Sequence, residues 1–286
     1  MNFQSPCMRL FALVSLLSIS VSAATPTVTF KFFTENLPGA QQTSIFGINN
    51  FNIAVGSYID SRGTRHGFMA TAGKMTTLDD PNGTNTYCFA INNLGAVVGN
   101  YTTSSFSSQA FLYQNGTFTD IGPAGSTGTQ ALGINDHGDI NGNFGDSAGV
   151  HGFLLHNGAY TTIDVPGAAF TLGGGINNAG IMIEVWLNAD GDSESSVYNG
   201  TKFTTVNVPG AEDSSASAIN NNNDIVFAWE DSSDNYHGAL LHAGQFYNFD
   251  DPNGARTFGY GLNDHHIMVG QFNDANGTAN GFAATY

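Results

Sequence analysis

The chain has 286 residues, 36 of them glycine and 22 phenylalanine, with 10% charged residues and a formal net charge of −16. Few charges and many glycines suit short strands and tight turns better than long amphipathic helices. Seven basic residues against 23 acidic ones leave no cluster of Lys and Arg with which to hold nucleic acid or anionic lipid, so both are excluded as partners.

Taken in chain order, Arg9 stands before the apolar run Leu10 to Val21, and small residues follow at 21–24. This reads as a secretory signal peptide over residues 1–24. The run is too short to span a bilayer, so residues 25–286 are expected to form a single exported domain with no membrane span. Cys7 leaves with the signal, and Cys88, alone thereafter, is expected to be a buried inert thiol.

From about residue 33 the chain repeats. Gly-Ile-Asn-Asn at 47–50 returns, with small changes, at 90–93, 133–136, 175–178, 218–221 and 261–264, every 42 or 43 residues. A fixed period in that range marks a repeat architecture. Each unit divides into four short runs, a to d. Run a ends in the asparagine motif, and the small residue before each Ile or Leu suits a strand squeezed where units converge. Four residues after the Ile or Leu stand Asn52, Gly95, Gly138, Gly180, Asn223 and His266, types that tolerate a left-handed turn. The first asparagine, which never varies, is expected to bond turn backbone.

Run b ends on Tyr58, Tyr101, Phe144, Trp186, Trp229 or Phe272, a repeated core contact rather than a sugar-stacking platform. Run c opens with His-Gly-Phe at 66–68 and 151–153, and with variants elsewhere. Asn115-Gly116, Asn157-Gly158 and Asn199-Gly200 follow it as hairpin signals. Run d is an aromatic followed by Thr-Thr, an apolar residue and then proline, clearest from Tyr160 to Pro166.

These features resemble the secreted bacterial H-A-F repeat proteins, named after the triplet that run c approximates. The asparagine motif, Val98-Gly99 and Asn-Gly-Thr-Phe at 115–118 also match, and the likeness covers residues 33–286. It implies a secreted repeat protein and carries no catalytic residues across. Copy four departs most, with Glu184 where glycine is usual and Glu-Ser-Ser at 194–196 for His-Gly-Phe.

Four antiparallel runs in a unit match one propeller blade. The expected fold is therefore all-β, a six-bladed β-propeller of about 43-residue repeats. The last copy lacks a run d, and Phe32 to Leu37 lies in that register. The N-terminal strand is thus expected to pair beside residues 279–286 and close the ring.

In such a ring the d-to-a and b-to-c loops share one face. Most of the carboxylates fall there, including Asp79, Asp164, Asp190, Asp192, Glu194 and Glu230. An acidic recognition face is expected, with Glu184, Glu194 and Glu230 approaching one another between the fourth and fifth blades. Asn188, Asp190, Asp192 and Glu194 alternate as hard-oxygen ligands for calcium could, though without the glycine and distal glutamate of an EF-hand loop. The functional expectation is a monomeric, secreted binding or scaffold module for a glycan, a basic peptide or a divalent cation, with no other cofactor. The alternative is an extracellular carbohydrate-active enzyme, which needs two carboxylates about 5 to 9.5 Å apart.

Overall fold

Twenty-four short strands make up the fold in the computed structural model, which describes residues 28–72, 74–188 and 190–286. The expected signal peptide lies outside that range. Blade one is β2 (Gln42–Ile48), β3 (Ala54–Ile59), β4 (Arg65–Thr71) and β5 (Lys74–Thr77). Blade two is β6 (Thr84–Ile91), β7 (Val97–Thr102), β8 (Ser108–Gln114) and β9 (Thr117–Ile121). Blade three is β10 (Gly128–Ile134), β11 (Ile140–Gly145), β12 (Val150–His156) and β13 (Ala159–Ile163). Blade four is β14 (Thr171–Ile176), β15 (Met182–Leu187), β16 (Ser193–Tyr198) and β17 (Phe203–Thr205). Blade five is β18 (Asp213–Ile219), β19 (Ile225–Glu230), β20 (Tyr236–His242) and β21 (Gln245–Phe249). Blade six joins β22 (Arg256–Leu262), β23 (Ile267–Asn273) and β24 (Ala279–Thr285) to β1 (Lys31–Thr34). Every pairing is antiparallel, and Phe32 sits opposite Ala284. The expected six-bladed propeller and its closure by the N-terminal strand are both present, although the closing strand stops at Thr34 rather than Leu37.

The asparagine motif does more than turn the chain. Oδ1 of the first asparagine accepts the N–H groups two and four residues on, as Asn92 does from Leu94 and Ala96. The left-handed residue that this turn needs is the expected one in all six copies. Nδ2 of the same asparagine then donates to the main-chain carbonyl of its counterpart in the next blade. Asn49 donates to Asn92, Asn92 to Asn135, and so round to Asn263, which donates to Asn49. A second circuit runs beside it, in which the backbone N–H of Asn50 reaches Asn93 Oδ1 and that of Asp264 returns to Asn50 Oδ1. Because Asn92 is buried and makes three such bonds, Asn92→Ala is expected to cost about 3 kcal/mol. Thermal denaturation should show a Tm roughly 5 to 10 °C lower, with Asn92→Ser, which keeps the acceptor, falling less.

The inner strands approach closely. A Cβ on Gly47 would lie 2.8 Å from the Phe89 carbonyl oxygen, and one on Gly175 2.8 Å from Ala218 Cα, so the small residue that opens each motif is a steric requirement.

Between blades the core is built from one repeated exchange of volume. Gly56, Gly99, Gly142 and Gly270 on the second strands sit opposite Phe68, Phe111, Phe153 and Phe282 on the third. Blade five reverses the exchange, with Phe227 opposite Ala239. All five rings are at most 1% exposed, worth roughly 1.5 to 3 kcal/mol each. Blade four puts Glu184 opposite Ser196 in the same place. Cys88 is fully buried, and burial pushes its thiol upward, as expected of an inert cysteine.

Candidate functional site

The loop carboxylates are engaged in turn chemistry. Asp60, Asp146, Asp231 and Asp274 each accept two backbone N–H groups across a b-to-c turn. The N–H groups of Asn235 and Ser233 hold the Asp231 carboxyl down at about 2. In blade four Asn188 takes this role, accepting from the N–H groups of Asp190 and Asp192. Its Nδ2 also donates to Asp192 Oδ2 and Glu194 Oε1 at 3.3 and 3.0 Å. The Asp192 and Glu194 carboxylates therefore close on an amide, which Asp190 meets only through its backbone N–H. Among the described residues no group of three or more His, Cys, Asp or Glu is set to hold a metal ion.

The recurrent histidines are clamps. His66, His151 and His237 each stack on or tilt against the aromatic at the end of run b. Each sits between the turn aspartate and the aspartate after run d: Nδ1 of His151, for example, lies 2.9 Å from Asp164 and Nε2 3.4 Å from Asp146. The hydrogen bond to Asp164 raises the His151 pKa from 6.5 despite partial burial. A raised histidine stabilises the fold below its unfolded pKa, and that contribution is lost as pH rises through the folded value. His151→Gln, which borrows the Gln109 side chain from blade two, should remove this part of the pH dependence of Tm.

The expected meeting of Glu184, Glu194 and Glu230 does not occur. Glu184 points towards blade three, where Oε1 accepts from Asn141 Nδ2 at 3.1 Å, and it has no exposed surface. Glu230 lies opposite Tyr236, whose ring packs on Phe258 and beneath Arg256 of blade six. The reason is strand alternation. Glu184 stands eight residues beyond its motif Ile and Glu230 eleven beyond its own, so they point to opposite faces of their blades. Asn141 occupies a column that holds Val55, Val98, Ile183, Val226 and Val269 elsewhere. An apolar contact across the blade seam has thus become a polar pair. Burial pushes the Glu184 carboxyl well above the usual range, the Asn141 bond opposes this, and Asp164 adds to it.

The open space lies on the axis. Two residues before each motif Ile or Leu stand Phe46, Phe89, Leu132, Gly174, Ser217 and Tyr260, and all six border the channel. The rings of Phe89, Phe46 and Tyr260 form a crescent, with centroids 5.2 and 5.1 Å apart in turn. Facing it, Gly174 and Ser217 leave the channel unfilled. On the asparagine side is a hollow of about 110 Å³. On the other side is a cavity of about 320 Å³ with a wall that includes Gln130, Asn143, Leu172 and Ser215. Asn143 is 7% exposed; its Nδ2 donates to Gln130 at 3.3 Å, and its Oδ1 has no partner among the described residues. Burial pushes the Tyr260 hydroxyl up to about 12, and no described group hydrogen-bonds to it. Neither this wall nor its crescent contains a carboxylate. Run-by-run reading of the sequence missed this column; its signal was the variation of one position among invariant neighbours.

No family model matches the sequence, and no curated protein is similar to it at a significant level. Solved structures are. A lectin of Aleuria aurantia, seen with Fucα1-6GlcNAc, is 11% identical, with 87% of this chain and 93% of that one covered at a TM-score of 0.54; the same lectin is described as a six-bladed β-propeller with a novel fucose recognition mode. The SapL1 lectin in complex with α-methyl fucoside is 8% identical, covering 86% and 93%, at 0.57. Streptogramin B lyase is 10% identical, covering 88% and 97%, at 0.51. At such identities the likeness is one of fold. Among the described residues no helix is long and apolar enough to cross a membrane.

Proposed function

We propose that this protein is a secreted, monomeric binding module of the H-A-F repeat type whose ligand is a glycan held at the axial cavity. The observation that carries the reading is the unfilled half of the channel, where an aromatic crescent faces small residues and the polar side chains of Gln130, Ser215 and Ser217. Apolar walls with a few convergent polar groups are the usual make-up of a small-molecule site. Fucose-binding lectins of similar fold lend the glycan its place ahead of a basic peptide. The acidic loop face would act as the surround, setting which charged glycans are repelled. Calcium at Asp190, Asp192 and Glu194 would have to displace the Asn188 amide; a calcium-dependent rise in Tm, lost in Asp192→Asn, would establish it.

The test is a binding screen of the mature chain against immobilised glycans and a basic peptide library, with size-exclusion chromatography for the oligomeric state. Retention on glycans alone supports the module. Turnover of a glycan, or retention on peptides alone, would replace it with the enzyme or the peptide-binding reading.

A further inference from the structure

The cavity wall specifies its ligand more closely than the word glycan does. Its volume of about 320 Å³ is at the lower end of small-molecule sites, room for one six-membered ring with its substituents rather than for a chain. No Asp, Glu, Lys, Arg or His borders it. A charged ligand would therefore enter without a partner, at a desolvation cost that a neutral one avoids.

The polarity is one-sided. The Phe89, Phe46 and Tyr260 rings, tilted by 59° and 49° from one to the next, give this side an aromatic border that suits the apolar C–H groups of a sugar ring. Across from it lie oxygen and nitrogen groups not spent on the fold. Asn143 Oδ1 is an acceptor in a side chain more than nine-tenths buried, and nothing among the described residues donates to it. An unpaired buried acceptor of this kind costs about 1 to 3 kcal/mol. That oxygen is closed off from the cavity, so the polar side chains that a ligand meets on this wall are those of Gln130, Ser215 and Ser217. The hydroxyls of Ser215, Ser217 and Tyr260 border the same space.

Resting on the binding-module reading, we propose that the axial cavity takes a single neutral hydroxyl-bearing ring, a monosaccharide unit or a cyclitol. One side of it rests against the Phe46, Phe89 and Tyr260 rings, and its hydroxyls meet Gln130, Ser215 and Ser217 across the cavity. Ser217→Leu is the natural plug, because Leu132 already occupies that column in blade three, so the ring tolerates the side chain there.

The experiment is calorimetric titration of the mature protein with the methyl glycosides of fucose, galactose, glucose and N-acetylglucosamine, with myo-inositol, and with glucuronic acid as the charged control. Wild type is expected to bind at least one neutral probe and not glucuronic acid. Ser217→Leu should abolish binding at an unchanged Tm, and Ser215→Ala should weaken it about tenfold, the worth of one hydrogen bond near 1.4 kcal/mol. Gln130→Ala, on the same wall, gives a second reading if the Ser215 variant misfolds, and should weaken it too. Full affinity in folded Ser217→Leu would overturn the axial site while leaving the binding module standing. Tighter binding of glucuronic acid would overturn the neutral class, and no binding of any neutral probe by wild type would overturn the inference outright.

Discussion

Replacing Glu184 with glutamine is expected to stabilise the protein at neutral and alkaline pH and to remove a slope of about 1.4 kcal/mol per pH unit from its unfolding free energy. The folded state holds the Glu184 carboxyl well above the unfolded value of 4.5, chiefly because burial disfavours its charge. Between the two pKa values the folded chain binds a proton that the unfolded chain has released. Stability contributed by this group is therefore greatest below about pH 4.5 and declines as pH rises towards the folded value. Glutamine keeps an acceptor for Asn141 Nδ2 and carries no proton to lose. Urea denaturation of both proteins from pH 5 to 9 measures the difference. His151 also loses its contribution as pH rises, but equally in both proteins, so it cancels. Parallel curves would show that Glu184 ionises in the folded state as freely as in the unfolded one.

Deleting residues 25–37 is expected to lower Tm by roughly 10 °C or more and to cause self-association. Phe32 packs edge-on against Phe282 at 5.4 Å, and Phe30 lies 5.2 Å from Phe249. Losing two half-buried rings and a four-residue ladder costs about 5 kcal/mol. It also bares the edge of β24, which then offers its unpaired groups to another chain. Light scattering alongside calorimetry checks both halves. A truncated protein that stays monomeric with its Tm unchanged would mean that β1 contributes nothing to closure.

What could be read from the sequence was whatever recurs. Six asparagine motifs reported the blades, and Phe32 to Leu37 reported the strand missing from the sixth, because both are local patterns at a fixed period. The left-handed turn residues followed from residue type alone. The seam between blades three and four was harder, since Asn141 and Glu184 lie 43 residues apart and meet only when the ring forms. Copy four stands out for its glutamates, but their direction follows only from counting along two strands in different blades, which sends Glu184 and Glu230 to opposite faces. The channel wall was hidden for the opposite reason. Phe46, Phe89, Leu132, Gly174, Ser217 and Tyr260 share one column and no common side chain, so a search for sameness passed over them.

The twelve bonds of the asparagine circuits have a common sense of rotation, each blade giving to its successor and receiving from its predecessor. A loop of identical handshakes has no privileged member. As far as these bonds are concerned, the break in the chain could stand in any of the six d-to-a connections, and permuted versions joined through β1 and β24 would present the same hub. The hub likewise does not count: nothing in a bond from one copy to the next states how many copies there are. The number six has to be held elsewhere, and the phenylalanines and Glu184 buried on the second and third strands are among the contacts left to hold it.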